Sequence, residues 1–519
     1  MVLAMAISAV VPASAVWPGL LCLLLVCVAL LFVQRVVLPR RRFTLAMENV
    51  PGPKALPIIG NSLILTAGQD EFFRLLQDCA TQYGELFVIW VGLRPFVFIQ
   101  SAEACQPLLN SSMHIDKSYE YGFLNDWVGT GLITSSGSKW HARRKLLTPS
   151  FHNKVMEDFA STVQPGVNTF IECLGKQTGL FDIVPLAKLC TLDLICDTVM
   201  GQHMDFQRNT NCDYVEAISE ICSIVQRRFI TPWLKPEALF KISPLGIKQK
   251  KCVEVIHRHV DSIIEKRKKE LEMREQMNGN VESETTKFTT SSKAKYRVAL
   301  LDLLLEMQKD GLTNEDIREE ANTFMFAGHD TSATAVSWCL YVLGKHPDVQ
   351  DKIVEEVLRV KSESADGTLD FPMTQKLHYL DCCIREVMRL YPVAPLIARD
   401  LHSPLQVGNH LLPAGVTVLM NLYLLHRDPR YFPEPDKFKP ERFMGAENTT
   451  KHPFAYIPFS AGSRNCIGQR FAMMQLKIIM SEVLCNYIVH SPVPESDLNL
   501  LGELVLVNKE GIQILLTTR

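Results

Sequence analysis

The sequence lacks the cysteine patterns that hold small folds together. Its 15 cysteines include no CxxC pair and no Cys/His cluster of zinc spacing, which excludes a disulfide framework and a structural zinc site and agrees with a cytosolic body. A surplus of either charge is also missing. With 54 Lys+Arg against 56 Asp+Glu, the net charge of −2 offers no bulk basic field for nucleic acid. No internal repeat is visible. At 519 residues, 47% hydrophobic and 21% charged, the chain is neither a disordered tail nor a stapled miniprotein, and it can bury a large core. One absence is local: Met1 to Gln34 contain no Asp, Glu, Lys, Arg or His.

Within that uncharged stretch, VWPGLLCLLLVCVALLFV (Val16 to Val33) runs on through Val36, Val37 and Leu38. At about 1.5 Å per residue it is long enough to cross a ~30 Å hydrocarbon layer. Arg35, Arg40, Arg41 and Arg42 follow. By the positive-inside rule these arginines stay cytoplasmic, so residues 1–38 read as a lumenal N-terminus and one transmembrane anchor, with the remaining chain on the cytosolic face. A cleaved signal peptide is the rival, but the basic n-region is missing and Ala13-Ser14-Ala15 precedes the apolar run rather than following it. Residues 39–60 are a basic stop and a connector stiffened by Pro51, Pro53 and Pro57. Residues 61–519 form the body.

The body reads as mainly α with a small β region. LFVIWVGLRPFVFIQ (Leu86 to Gln100) predicts two strands around a Gly-Leu-Arg-Pro turn, and Met156 to Lys269 is helical in period. A polar tract, Glu270 to Lys295, predicts a loose connection. Thr313 and Asp316 predict a capped start to a helix of about thirty residues, stopped by His346-Pro347. Two further hairpins are expected, in Pro404 to Met420 around a Gly-Asn turn and in Glu503 to Thr518 around a Glu-Gly turn.

The chemistry concentrates in PFSAGSRNCIG (Pro458 to Gly468). It sets Cys466 in a loop of small residues, with Arg464 two positions earlier and an apolar helix starting near Ile467. Backbone N–H groups aimed at sulfur and the positive end of a helix lower a thiol pKa, and glycines let a flat ligand approach the backbone. The order F-x-x-G-x-R-x-C-x-G resembles the cysteine-ligand loop of the cytochrome P450 haem-thiolate monooxygenases, matching at Phe459, Gly462, Arg464, Cys466 and Gly468. The resemblance implies the P450 fold, with Cys466 as axial ligand of haem b iron. There a thiolate pushes electron density toward iron to favour O–O cleavage. It also implies that Phe459 shields the sulfur and that Arg464 pairs with a haem propionate.

Three more matches extend the likeness. WHARR (Trp140 to Arg144) has the family's W-x-x-x-R pattern, with Trp140 and Arg144 one helical turn apart and able to reach propionates; Arg399 in LIARD is a third partner by the same resemblance. REVMRLYP (Arg385 to Pro392) carries Glu386 and Arg389, which with Arg442 of KPERF are implied to form a buried structural triad. EANTFMFAGHDTS (Glu320 to Ser332) places Gly328 in mid-helix at a cost of about 1 kcal/mol, with room for O₂ as the expected reason. Thr331 is expected to bond back to the carbonyl of Ala327 and hold a water. By resemblance, Asp330 and Thr331 are the acid–alcohol pair that delivers protons so that one oxygen atom of O₂ leaves as water.

TFMFAGHDTS together with HRDPRYFPEPDKFKPERF (His426 to Phe443) is similar to family 4, the fatty-acid ω-hydroxylase branch. That resemblance implies a membrane-bound monooxygenase of the endoplasmic reticulum, hydroxylating medium- or long-chain fatty acids at or near the terminus. Its electrons are implied to come from NADPH–cytochrome P450 reductase, with cytochrome b5 as a second partner. Terpenoid, steroid or xenobiotic substrates are the alternative, and a haem-thiolate isomerase or a noncatalytic haem protein is the rival class. One departure is informative. Ala327 stands where the branch commonly has the glutamate that esterifies a haem methyl, so haem held by Cys466 and noncovalent contacts alone is expected. Phe324 and Phe326 are candidate wall positions with core packing as their ordinary role, and Arg143, Lys145, Arg470 and Lys477 are candidates for a cationic docking face.

Overall fold

The computed structural model describes residues 20–27, 30, 34, 37–65, 68–209, 212–282, 299–364, 367–445 and 452–519. Among these, no helix is long and apolar enough to cross a membrane. Of the span expected within 16–38, residues 16–19, 28–29, 31–33 and 35–36 lie outside the described residues.

Alternation of β-branched and aromatic residues makes β1 (Leu86–Val91) and β2 (Arg94–Ile99), an antiparallel hairpin in which Val91 faces Arg94 across the expected turn. The hairpin does not stand alone. β4 (Leu396–Asp400) and β7 (Thr417–Asn421) complete a four-stranded sheet of order β1-β2-β7-β4, in which β2 and β7 run parallel with Val97 opposite Val418. Arg399 is thereby fixed on β4 opposite Val418. Strands β5 (Leu405–Val407) and β6 (His410–Leu412) form the Gly-Asn hairpin as expected.

The Glu-Gly hairpin is not formed. β10 (Leu506–Asn508) pairs with β9 (Leu500–Gly502), whereas β11 (Gln513–Thr518) pairs with β8 (Tyr487–His490) and β3 (Phe181–Asp182). Tertiary bonds decide it: Leu506 donates to the Val393 carbonyl and accepts from the Trp338 indole, which ties β10 to the helical core.

Along the chain run helices α1 (Gly137–Leu147), α2 (Val184–Ile195), α3 (Pro244–Glu282), α4 (Asn314–Leu343), α5 (Pro347–Lys361), α6 (His378–Leu390) and α7 (Gln469–Asn486). α4 starts on the expected capping box. The Thr313 hydroxyl accepts from the Asp316 N–H, and the Asp316 carboxylate accepts from the Thr313 N–H, each at 3.1 Å. It ends at Gly344, just before His346-Pro347. α3 departs from expectation by continuing through Glu270 to Glu282, because the first residues of that stretch, Glu270 to Met277, are Glu, Leu, Met, Arg and Gln, all good helix formers, and Arg267 pairs with both Glu270 and Asp302; the rest of the expected loose tract, 283–295, lies outside the described residues.

α2 and α4 lie in close contact. The Thr191 hydroxyl donates to the His329 carbonyl at 2.8 Å, and a Cβ added to Gly328 would stand 2.3 Å from the Ile195 side chain. The largest hydrophobic core gathers buried residues from Phe73 to Ile514, wrapped around α4.

Candidate active site

A cavity of about 290 Å³ lies between α4 and the loop that precedes α7, and Cys466 opens onto it. The loop is shaped by two tight positions. Ser460 and Gly462 both have positive φ, 58° and 71°, and a Cβ on Gly462 would stand 2.0 Å from the Leu109 carbonyl oxygen, so only glycine fits. The Cys466 N–H closes the turn by donating to the Phe459 carbonyl at 2.9 Å. Burial pushes the Cys466 thiol pKa up, and this outweighs the Gly468 N–H, Arg144 and Lys117, which favour the thiolate.

Cations gather on one side. Arg144 on α1 clasps Asn465, donating to its carbonyl at 2.8 Å and its side-chain oxygen at 2.6 Å. Trp140, one turn before, is buried, with the Arg464 guanidinium 4.5 Å from its ring centre. Arg464 donates to three carbonyls, of Ile115 (3.0 Å), Leu132 (3.2 Å) and Ser135. Arg399 spends Nη1 on its neighbour Ala398, and its buried Nη2 has no hydrogen-bond partner.

Sequence reasoning missed Lys117, which also lines the cavity. No period or motif marks it; it is brought there by a backbone bridge to Arg399. Among the described residues no Asp or Glu lines the cavity, although Asp116 is near enough to favour the charges of Arg399 and Arg464. Burial and mutual repulsion with Arg399 lower the Lys117 pKa well below its ordinary value and that of Arg464 to about 10.

The opposite wall is α4. Ala327, Gly328, Thr331, Ser332 and Ala335 line it, and the Thr331 hydroxyl bonds back to the Ala327 carbonyl at 2.6 Å as expected. Gly328 lines the space where room for O₂ is expected, and it has a second role. It admits Ile195 of α2, which itself lines the cavity, so the glycine sets a helix crossing as well as a wall.

Asp330 is not on the wall. Its carboxylate is buried against Lys188 of α2 at 2.8 Å, and although burial disfavours the charge, Lys188 and His329 hold its pKa below the usual range. Asp330 and Thr331 are thus adjacent in chain but point to different surroundings. Phe324 lines the cavity and stacks on Phe151, whereas Phe326 packs on Trp127 outside it.

The implied triad is assembled. Arg389 binds both oxygens of Glu386 at 2.7 and 2.8 Å, and Arg442 reaches Glu386 at 3.3 Å. Remaining donors of Arg389 go to the carbonyls of His426, Pro435 and Lys437, so the buried charges are fully paired. The docking set is only half confirmed as surface. Lys145 and Arg470 are exposed, but Arg143 is buried beside Asp316 and Glu320, and Lys477 is buried on Asp381.

The sequence model of the cytochrome P450 family matches residues 50–516. The chain belongs to the cytochrome P450 family. Its curated relatives include Cytochrome P450 4V2 of Homo sapiens, 39% identical over 94% of this chain and 93% of that one. Cytochrome P450 4c3 of Drosophila melanogaster is 37% identical over 92% and 91%, and Cytochrome P450 4c21 of Blattella germanica 34% over 91% and 94%. These relatives carry family 4 names, and the chain is of that family. This P450 is accordingly a haem monooxygenase. The cavity fits haem on its own evidence: three lining cations with no acid among the described lining residues, a buried arginine nitrogen without a hydrogen bond on the strand bridged to Lys117, and a thiol facing inward suit a flat group that carries two carboxylates and a metal. Cys466, Arg144, Arg399, Arg464, Lys117 and Trp140 are the residues that would hold it.

Proposed function

We propose that this P450 hydroxylates medium- or long-chain fatty acids at or near the terminal carbon. The observation that carries the reading is the polarity of the cavity. Its cations lie beside the cysteine loop, and the remaining wall is hydrocarbon and aromatic: Phe151, Ile195, Phe324, Met388, Ile397 and Leu422. Such a wall accepts an alkyl chain end and excludes water. Stacking of Phe324 on Phe151 narrows the space, which favours a methyl terminus over a bulky ring.

Bound haem supplies the iron at which O₂ is activated. Thr331 presents a hydroxyl to that space, and its bond to Ala327 keeps it oriented. By the family resemblance Asp330 belongs to the same proton relay, although its carboxylate is turned from the cavity and held ionised by Lys188. Ala327 offers no carboxylate for an ester, so haem is held noncovalently apart from the Cys466 bond to iron.

Electrons come from NADPH–cytochrome P450 reductase, with cytochrome b5 as an accessory, and exposed Lys145 and Arg470 contribute to the docking face. The exposed leucines at 20, 21, 23, 24 and 25 support a single-pass anchor in the endoplasmic reticulum membrane, with the catalytic body on the cytosolic face.

The test is a ferrous-CO difference spectrum of wild type beside Cys466→Ala, followed by reductase-driven turnover of saturated fatty acids. Wild type is expected to give the thiolate-type band, ω-hydroxy products and no haem left on the polypeptide after acid–organic extraction. A thiolate-type band in Cys466→Ala, or oxidation of ring substrates alone, overturns the reading.

A further inference from the structure

Among the described residues Arg464 makes no ion pair; two of its three acceptors, the carbonyls of Leu132 and Ser135, belong to the loop of residues 129–135. That loop is fastened to the start of α4. The Glu319 carboxylate accepts from the Thr130 N–H at 2.7 Å and pairs with Lys139, also at 2.7 Å. The next residue, Glu320, accepts from the Leu132 N–H at 3.1 Å. Between them Gly131 sits so close to α4 that a Cβ would stand 2.4 Å from the Thr323 hydroxyl and 2.9 Å from the Glu319 carbonyl.

Glu320 is wholly buried, and its second oxygen has no hydrogen bond, only the Arg143 guanidinium 3.6 Å away. A buried carboxylate is costly unless its position is used. Here it occupies one peptide's N–H, and the same peptide residue's carbonyl holds Arg464. Because Arg143 lies between Trp140 and Arg144 on α1, Glu320 touches both supports of the cation side at once.

We propose that Glu320 is a positioning residue for the haem-holding cations: through Leu132 it sets Arg464, and through Arg143 it sets the helix carrying Trp140 and Arg144. Its role is separate from that of the α4 wall residues, since Glu320 does not line the cavity. The inference rests on the haem reading of the site.

The experiment measures haem release from purified holoenzyme to excess apomyoglobin. Glu320→Ala is expected to release haem about tenfold faster than wild type, the usual scale for losing an outer support of a bound metal group. Glu320→Gln, which keeps one acceptor oxygen for Leu132, is expected to bring the rate back toward wild type.

Glu356→Ala is the control. That carboxylate is also buried and holds two backbone N–H groups, of Tyr379 and Leu380, but lies on α5 away from the cavity. It is expected to lower the melting temperature and leave haem release unchanged. Release from Glu320→Ala at the wild-type rate, or equally fast release from Glu356→Ala, overturns the proposal. If Glu320→Ala does not accumulate as holoenzyme, Glu319→Ala, which frees the Thr130 end of the loop and unpairs Lys139 of α1, is expected to release haem faster than wild type; an unchanged rate overturns the proposal equally. A wild type that purifies without haem overturns the haem reading instead, and is told apart by the absent Soret band.

Discussion

Two groups of buried arginines sit in this molecule, and they are treated oppositely. Around Glu386, the guanidiniums of Arg389 and Arg442 share a carboxylate and spend their other donors on backbone carbonyls. At the cavity, Arg144, Arg464 and Lys117 line a space that no acid among the described residues lines; Arg399, bridged to Lys117, has Asp116 as a nearby opposite charge and keeps an Nη2 without a hydrogen bond. The first group is electrically closed and belongs to the fold. The second is open, and its imbalance is a statement about what binds there. Burial alone does not distinguish structure from site; completeness of pairing does.

The sharpest way to break this contrast is to unpair the closed group. Glu386→Ala leaves two buried guanidiniums facing each other and is expected to cost about 3–5 kcal/mol, enough to prevent accumulation of folded protein, read by circular dichroism and yield. The open group is expected to behave differently. Lys117→Met should stabilise the haem-free protein by about 1 kcal/mol, because it removes a buried, repelled charge, while weakening haem retention about tenfold. Denaturant melts with and without haem check the two signs; destabilisation of both forms would erase the distinction.

A pH-dependent effect comes from Glu503, which stands between the extremes. Burial raises its pKa to about 7 although Lys188 is near. The folded protein therefore binds that proton more tightly than the unfolded chain. Stability contributed by this residue is present below about pH 4.5 and is lost as pH climbs to about 7, with a slope of at most about 1.4 kcal/mol per pH unit. Glu503→Gln is expected to flatten denaturant stability between those limits and to leave it unchanged at lower pH.

Features written in neighbouring residues were legible in the sequence. The β1–β2 hairpin, the Thr313–Asp316 cap, the Cys466 loop and the Thr331 back-bond each depend on residues within a few positions of one another. What escaped depends on distant partners. Arg143 and Lys477 looked like free surface cations because Asp316 and Asp381 lie far along the chain. Asp330 is expected beside Thr331 as its acid partner, but a helix turns about 100° per residue, so the two point apart and Asp330 pairs with Lys188. Lys117 carried no local signal at all, and β10 was pulled from its apparent hairpin by Trp338 and Val393.

The parallel pairing of β2 with β7 bears on biosynthesis. Strands at 94–99 must wait for strand 417–421 to leave the ribosome before the sheet can close, and the cysteine loop follows later still. Until then the apolar segments LFVIWV and RPFVFI present an unpaired edge, the kind that recruits another nascent chain. A truncated product ending before residue 417 is thus an aggregation hazard, and chaperone demand during synthesis follows from strand order.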